Sequence, residues 1–249
     1  MKLKDYIRQR ELRMQRVERG FILRMRRALR LTLEPLYDAL EYDINVKPDM
    51  LKPNHIEDAL RSLYVKWGYQ QAVWFSRNFE FQKKNDVWMT NLEGWFNTKG
   101  ADKVTAILGT TRELIKPVLR DAVSWAADGL SIQDITKAVK AGVERDGGAI
   151  SAGRARTIAR TEVIGASNVA THQVASEIGG NLEKRWITGG VNIRESHFEA
   201  ERQGWIRFDE PFLVPSNSGI DKMQHPHDPD ASPENVINCK CVEIYRTIN

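Results

Sequence analysis

The residues best suited to chemistry lie late in the chain. His197 follows Arg194 by three, His225, His227 and Asp228 share a proline-broken loop, and Cys239 and Cys241 flank Lys240. Thiolate sulfur and imidazole nitrogen together suit zinc, which structural sites hold with four nitrogen or sulfur ligands. The candidate ligand set is His197, Asp228, Cys239 and Cys241, with His227 as an alternative. Spacing restrains this reading, because a zinc knuckle usually leaves two to four residues between its cysteines. Side chains only two apart converge when both leave one face of a strand. The competing reading is two buried cysteines acting as small hydrophobes, with the histidines at the surface. No other cysteine is present, and a disulfide across so short a loop would be strained, so reduced thiols in a cytosol are the starting expectation.

A second polar constellation sits on a helix-forming stretch. Arg160, Thr161 and Asn168 share one arc of it, roughly opposite an alanine-rich face, and Glu162 borders that face. A half-buried Glu needs a partner, and structural ion pairing explains the set better than catalysis, since no His or Ser nucleophile stands at a matching spacing. There is no His-Glu-x-x-His helix, Walker loop, Gly-x-Ser-x-Gly elbow or Gly-x-Gly-x-x-Gly fingerprint.

The third feature is charge. Residues 1–30 hold eleven basic against three acidic side chains, a net +8, whereas the whole chain of 249 residues carries +4. The remainder is therefore mildly acidic, at −4. Arg8, Arg13, Arg16, Arg24 and Arg27 are the candidate partner-binding residues of this arm. Clustered Arg supplies partners for carboxylates or phosphates, and an acidic protein surface is favoured over DNA. The alternative is an amphipathic helix docked on the body with a solvated Arg face.

The elements that must position these residues are mostly helical. The arm has no Pro before Pro35 and only Gly20, and Ile7, Met14, Val17, Phe21 and Met25 recur at helical spacing. Ile56, Leu60, Leu63 and Trp67 predict a helix from Asn54 to about Gln82; the tryptophans beyond it are expected in a core rather than in a base-stacking platform. A helix over 101–127 carries Pro117, which predicts a kink or a start near Lys116. Ser131 and Asp134 have capping-box spacing ahead of a helix to about Val143, and Asp146-Gly147-Gly148 makes a turn. Ser151 caps the clearest helix, with Ala155, Ala159, Val163, Ala166, Ala170 and Val174 on one face and Gly179-Gly180 at its end. Short strands follow at Arg185–Thr188, Trp205–Phe208 and Cys241–Tyr245. The fold class is α+β: a mainly helical N-terminal region, then a small α+β domain with a short sheet. The expected divisions are an Arg-rich arm (1–34), a helical domain (35–148) and a C-terminal domain (149–249). No apolar run reaches membrane-spanning length, and no signal-peptide pattern is present.

In order along the C-terminal part stand Ala159-Arg160-Thr161-Glu162 with Asn168, Lys184-Arg185-Trp186 with Thr188, and Arg194-Glu195-Ser196-His197. Phe208-Asp209-Glu210-Pro211-Phe212, Pro226-His227-Asp228-Pro229 and Asn238-Cys239-Lys240-Cys241 follow. Six such blocks in register resemble the phage Mu protein F-like head-morphogenesis family. The pattern departs where Gly189-Gly190-Val191-Asn192 replaces a common Asp and Arg, where Glu199 to Gly204 lacks the usual Asp-Gly, and at His227, often Gly. The resemblance implies a minor head protein of a tailed phage, in the procapsid or virion head and in the host cytoplasm during assembly. It would act at or near the portal, with portal, capsid or scaffold proteins as partners and a role in DNA packaging or ejection. That is assembly rather than enzymatic work. Two readings compete: a zinc-dependent hydrolase or nuclease built on the His/Cys cluster, and a DNA-binding module led by the arm.

Overall fold

A computed structural model describes residues 3–78, 86–145, 147–178 and 182–248. The architecture is α+β. Helix α1 (Leu3–Leu40) leads through a short 3₁₀ turn to α2 (Asn54–Arg61), a π-helical segment (Ser62–Trp67) and α3 (Gly68–Asn78). Then come α4 (Asp86–Trp95), a second π-helical segment (Phe96–Gly100), α5 (Ala101–Ala127), α6 (Ile132–Glu144) and α7 (Ala152–Ile178). The end of the chain is mixed: β1 (Leu182–Ile187), α8 (Glu195–Arg202), β2 (Trp205–Arg207), β3 (Phe212–Ser216), β4 (Gly219–Met223), α9 (Pro233–Val236) and β5 (Val242–Thr247). Among the described residues no helix is long and apolar enough to cross a membrane.

The compact units do not follow the order of the sequence. One comprises Met1–Glu18, Arg61–Lys99 and Arg160–Asn249; the other comprises Arg19–Leu60 and Gly100–Ala159. The expected arm of 1–34 is thus corrected: α1 continues past Pro35 to Leu40, and α1 and α7 each contribute to both units. A shift in composition marked the arm, but compactness follows burial, which persists along the helix through Leu29, Leu33, Leu36 and Leu40.

The unit built on Arg19–Leu60 and Gly100–Ala159 is helical and apolar inside. Phe21, Met25, Leu29, Leu33, Leu36 and Leu40 bury one stripe of α1. Helix α5 passes through the exposed Pro117 without ending, so of the expected kink or helix start near Lys116 the start does not occur. Ser131 Oγ accepts from the Asp134 N–H at 3.2 Å, so α6 starts on the expected cap. A Cβ added at Gly142 would stand 2.9 Å from Val118, because α6 runs close along α5.

The other unit holds the sheet, in the order β2-β1-β5, all antiparallel, with Lys184 opposite Tyr245 and Trp186 opposite Glu243. Leu182, Lys184 and Trp186 alternate to one buried face of β1. The β3–β4 hairpin pairs Phe212 with Met223, and the sequence had not indicated it or α8. Trp186, Ala200, Phe212, Val214, Met223, Val236, Cys239 and Cys241 form one apolar cluster. The aromatic residues pack as expected of core: Trp88 is buried, Trp74 stacks on Tyr6 at 5.2 Å and Trp95 on Tyr64 at 4.8 Å. Helix α7 differs from the amphipathic expectation, since residues 161–170 are buried all round. Its polar face carries Thr161, Ser167, Asn168 and Thr171, small enough to be enclosed once each finds a hydrogen-bond partner. Gly179 and Gly180, its expected stop, and residues 79–82 of the predicted second helix lie outside the described residues, as does Asp146.

Candidate metal centre

His197 is the third residue of α8, and its ring points into the apolar cluster, 5.4 Å from the Trp186 ring in an edge contact. Cys239 and Cys241 lie between α9 and β5. The segment turns there because Asn238 takes a left-handed φ of 61°, a conformation asparagine tolerates. Thr161 Oγ1 accepts the Asn238 N–H at 2.8 Å, and Asn238 Oδ1 accepts from Arg160 Nη1 at 3.0 Å. Arg194 Nη2 donates to the Ile237 carbonyl at 2.6 Å. The two sulfurs therefore converge through a tethered turn, not from one strand face, and the Cys241 N–H points at Cys239 Sγ at 3.2 Å.

His197 Nδ1 stands 3.6 Å from Cys239 Sγ and 3.3 Å from Cys241 Sγ, and the three donor atoms all lie within 4.8 Å of one another. All three side chains are buried, and neither cysteine is in a disulfide. The Cys239 thiol donates to Cys241, and with help from His197 this holds the Cys241 thiol down at about 5. Burial pushes the Cys239 thiol well up. A soft cation binds such a sulfur pair by displacing the remaining proton or protons. Among the described residues His197 Nε2 is buried with no hydrogen-bond partner, whereas a metal-bound histidine commonly donates through its second nitrogen. Two sulfurs and an imidazole nitrogen converging in this way can hold a metal ion.

The loop after β1 is fitted to this turn. A Cβ on Gly189 would fall 2.4 Å from the Lys240 carbonyl oxygen, and one on Gly190, whose φ is +87°, would fall 2.7 Å from Lys240 Cδ.

The other proposed ligands are elsewhere. Asp228 is not in the cluster: its oxygens accept the Gln224 N–H at 2.7 Å and the Asp230 N–H at 3.0 Å, closing its own loop. His227, at φ 66°, places Nε2 3.0 Å from the Cys239 carbonyl and so supports the turn from outside. The loop is closed by its own hydrogen bonds, the His225 carbonyl accepting the Asp228 N–H at 3.1 Å and the Asp228 carbonyl the Ala231 N–H at 3.2 Å.

The remaining motif residues have structural partners. Arg160 bridges Glu18 and Asn238, and Glu162 accepts from the Tyr64 hydroxyl at 2.7 Å. Asn168 Nδ2 donates to the carbonyls of Pro226 and Cys241. Of the arm residues, Arg8, Arg16, Arg24 and Arg27 are exposed. Arg13 is half-buried, with Nε 3.4 Å from Gln71 Oε1 and its guanidinium over Trp74.

Sequence reasoning missed a buried network beside the cluster. Arg10, fully buried, donates from Nε to Ser167 Oγ at 3.1 Å and from Nη1 to the Glu243 carbonyl at 2.9 Å. Its Nη2 donates to Asn168 Oδ1 at 2.7 Å and Thr171 Oγ1 at 3.1 Å. The Glu243 carboxylate, also fully buried, accepts from the Tyr245 hydroxyl and lies 3.3 Å from His172. Burial opposes its charge, yet His172, His225 and Lys184 together hold its carboxyl below the usual range. Burial, with His172 beside it, also pushes His225 down. The one signal in the sequence was Ser167-Asn168 and Thr171 interrupting an alanine-rich helix.

No protein-family model matches the chain, and no solved structure matches it. Over 135 residues, 53% of the chain, it is 34% identical to "Uncharacterized protein YqbB" of Bacillus subtilis (strain 168), and the match spans 41% of that protein's length.

Proposed function

We propose that the chain is a minor head-morphogenesis protein of a tailed phage, acting in procapsid assembly at or near the portal. The reading rests on the six sequence blocks that resemble the Mu F-like family. The single observation that supports it best is where their residues lie. Arg160, Thr161, Asn168, Trp186, Arg194, His197, Phe212, Asn238, Cys239 and Cys241 belong to one hydrogen-bonded and apolar body, as a shared domain signature requires. Zinc is the metal that suits the donors, with His197, Cys239 and Cys241 as three ligands and the fourth position taken by water or another donor; enclosure of the three in the core favours a staple over substrate chemistry. The exposed Arg8, Arg16, Arg24 and Arg27 supply the cationic face for an acidic partner, portal or scaffold.

The test is genetic and compositional. Deleting the gene should leave particles lacking functional heads, and the chain should be found by mass spectrometry in wild-type procapsids and co-purify with the portal. Full infectivity after deletion, with the chain absent from every particle form, would sink the reading.

A further inference from the structure

One short segment, Cys241-Val242-Glu243, carries both a sulfur of the candidate centre and the anchors of the first turns of α1. The Cys241 carbonyl accepts from Asn168 Nδ2 at 3.1 Å, and Asn168 Oδ1 accepts from Arg10 Nη2 at 2.7 Å. Two residues on, the Glu243 carbonyl accepts from Arg10 Nη1 at 2.9 Å. A single amide thus separates a sulfur-bearing residue from a fully buried guanidinium. Arg10 cannot leave alone: undocking these turns would strand the Asn168 oxygen and the Glu243 carbonyl without a donor, and buried acceptors left so are costly. The Cys241 carbonyl shares Asn168 Nδ2 with the Pro226 carbonyl, so a shift of Cys241 removes one of the two contacts that orient Asn168 towards Arg10.

We propose that the His197–Cys239–Cys241 centre and the docking of residues 3–18 of α1 are thermodynamically coupled, with Arg10 as the coupling residue. A metal bound to the two sulfurs fixes the Cys239–Glu243 backbone and so holds the acceptors where Arg10 needs them. Losing it loosens the turn and releases the start of α1, uncovering apolar Tyr6 and Met14. Coupling of this kind is reciprocal: whatever factor the metal contributes to docking, docking returns to metal affinity. The centre would then regulate whether the basic end of the chain is held or offered to a partner. This inference rests on the metal reading of the same site.

The test uses the full chain, with Zn²⁺ and Co²⁺ as probes and EDTA as chelator. Amide hydrogen exchange across residues 5–18 should quicken at least fivefold when EDTA strips the wild-type protein, a factor at the low end of ordinary coupling. Arg10→Gln should bind Co²⁺ at least about fivefold more weakly, although residue 10 supplies no ligand, while the exposed-site control Lys4→Gln binds as wild type. Should Arg10→Gln fail to fold, the wild-type exchange comparison decides. A wild-type protein that binds neither ion overturns the metal reading and the coupling together. Binding with unchanged exchange, or with unchanged affinity in a folded Arg10→Gln, overturns the coupling and leaves the metal reading standing.

Discussion

The two compact units bury different kinds of side chain. Within Arg19–Leu60 and Gly100–Ala159, the buried polar residues are Thr32, Thr111, Thr136 and Ser151, all hydroxyls. Thr32 and Thr111 donate back to the carbonyl four residues earlier, which satisfies them locally. The other unit buries Arg10, Glu162, Lys184, His197, His225, His227, Asp228 and Glu243. Charge inside a protein persists only when it is paired and hydrogen-bonded, and it contributes little stability over an apolar replacement. Helical packing alone accounts for the first unit. In the second, removing any member leaves its partners stranded, so that unit is the one in which specificity, metal and pH response are concentrated.

The largest effect should come from cutting the Arg10 network. Arg10→Ala or Glu243→Ala is expected to lose about 3–5 kcal/mol in denaturant unfolding, because each leaves buried partners uncompensated. Thr32→Val, in the apolar unit, should stay within about 1 kcal/mol. Comparable losses at the two sites would erase the contrast. Next, Gly189→Ala should cost about 1–3 kcal/mol, since its Cβ would overlap the Lys240 carbonyl and the turn must shift. Measured affinity for metal should fall with it.

Acid sharpens the contrast further. Burial lowers His225 below its ordinary 6.5, so the unfolded chain binds a proton there before the native state does. Stability therefore declines as pH falls from about 6.5 towards that lowered value. Glu243, held below its ordinary 4.5, adds a second loss as pH falls beneath 4.5. Unfolding followed by the near-ultraviolet signal against pH should show the sheet-bearing unit weakening first. His225→Phe should flatten the first step, and an unaltered profile would remove His225 from the explanation. The smallest effect is expected at Ser131→Ala, about 1 kcal/mol for a lost cap, with no change in metal binding.

The apolar unit was also the more legible. Its helices announce themselves by period, and the Ser131 cap by spacing, because both are local. Pro117 had suggested a kink or a helix start near Lys116, yet α5 runs on through it from Ala101 to Ala127, as a long helix with an exposed proline can. In the sheet-bearing unit β1, β2 and β5 were visible as β-branched and aromatic runs, but α8 and the β3–β4 hairpin were not. Helix α8 is eight residues and half of them are charged, and the hairpin brings Phe212 and Met223 together across it. His197, Cys239 and Cys241 were read correctly as neighbours through their donor chemistry. Asp228 was drawn in by closeness along the chain, which says nothing about where a proline-flanked loop points. Arg10 was unreadable as a buried residue: it is one of eleven basic side chains in 30 residues, and only Ser167, Asn168 and Thr171, far along the sequence, single it out.

The central claim, that two sulfurs and one imidazole form a metal-holding staple, is tested most directly by metal content and melting on the full chain. Purified protein should contain one zinc per molecule, lose it to Cys239→Ser with Cys241→Ser, and show a melting temperature that drops with EDTA and returns with Zn²⁺. At free zinc a hundredfold above the dissociation constant the gain should be about 2.7 kcal/mol. Metal-free protein whose melting is indifferent to both EDTA and Zn²⁺ would contradict it.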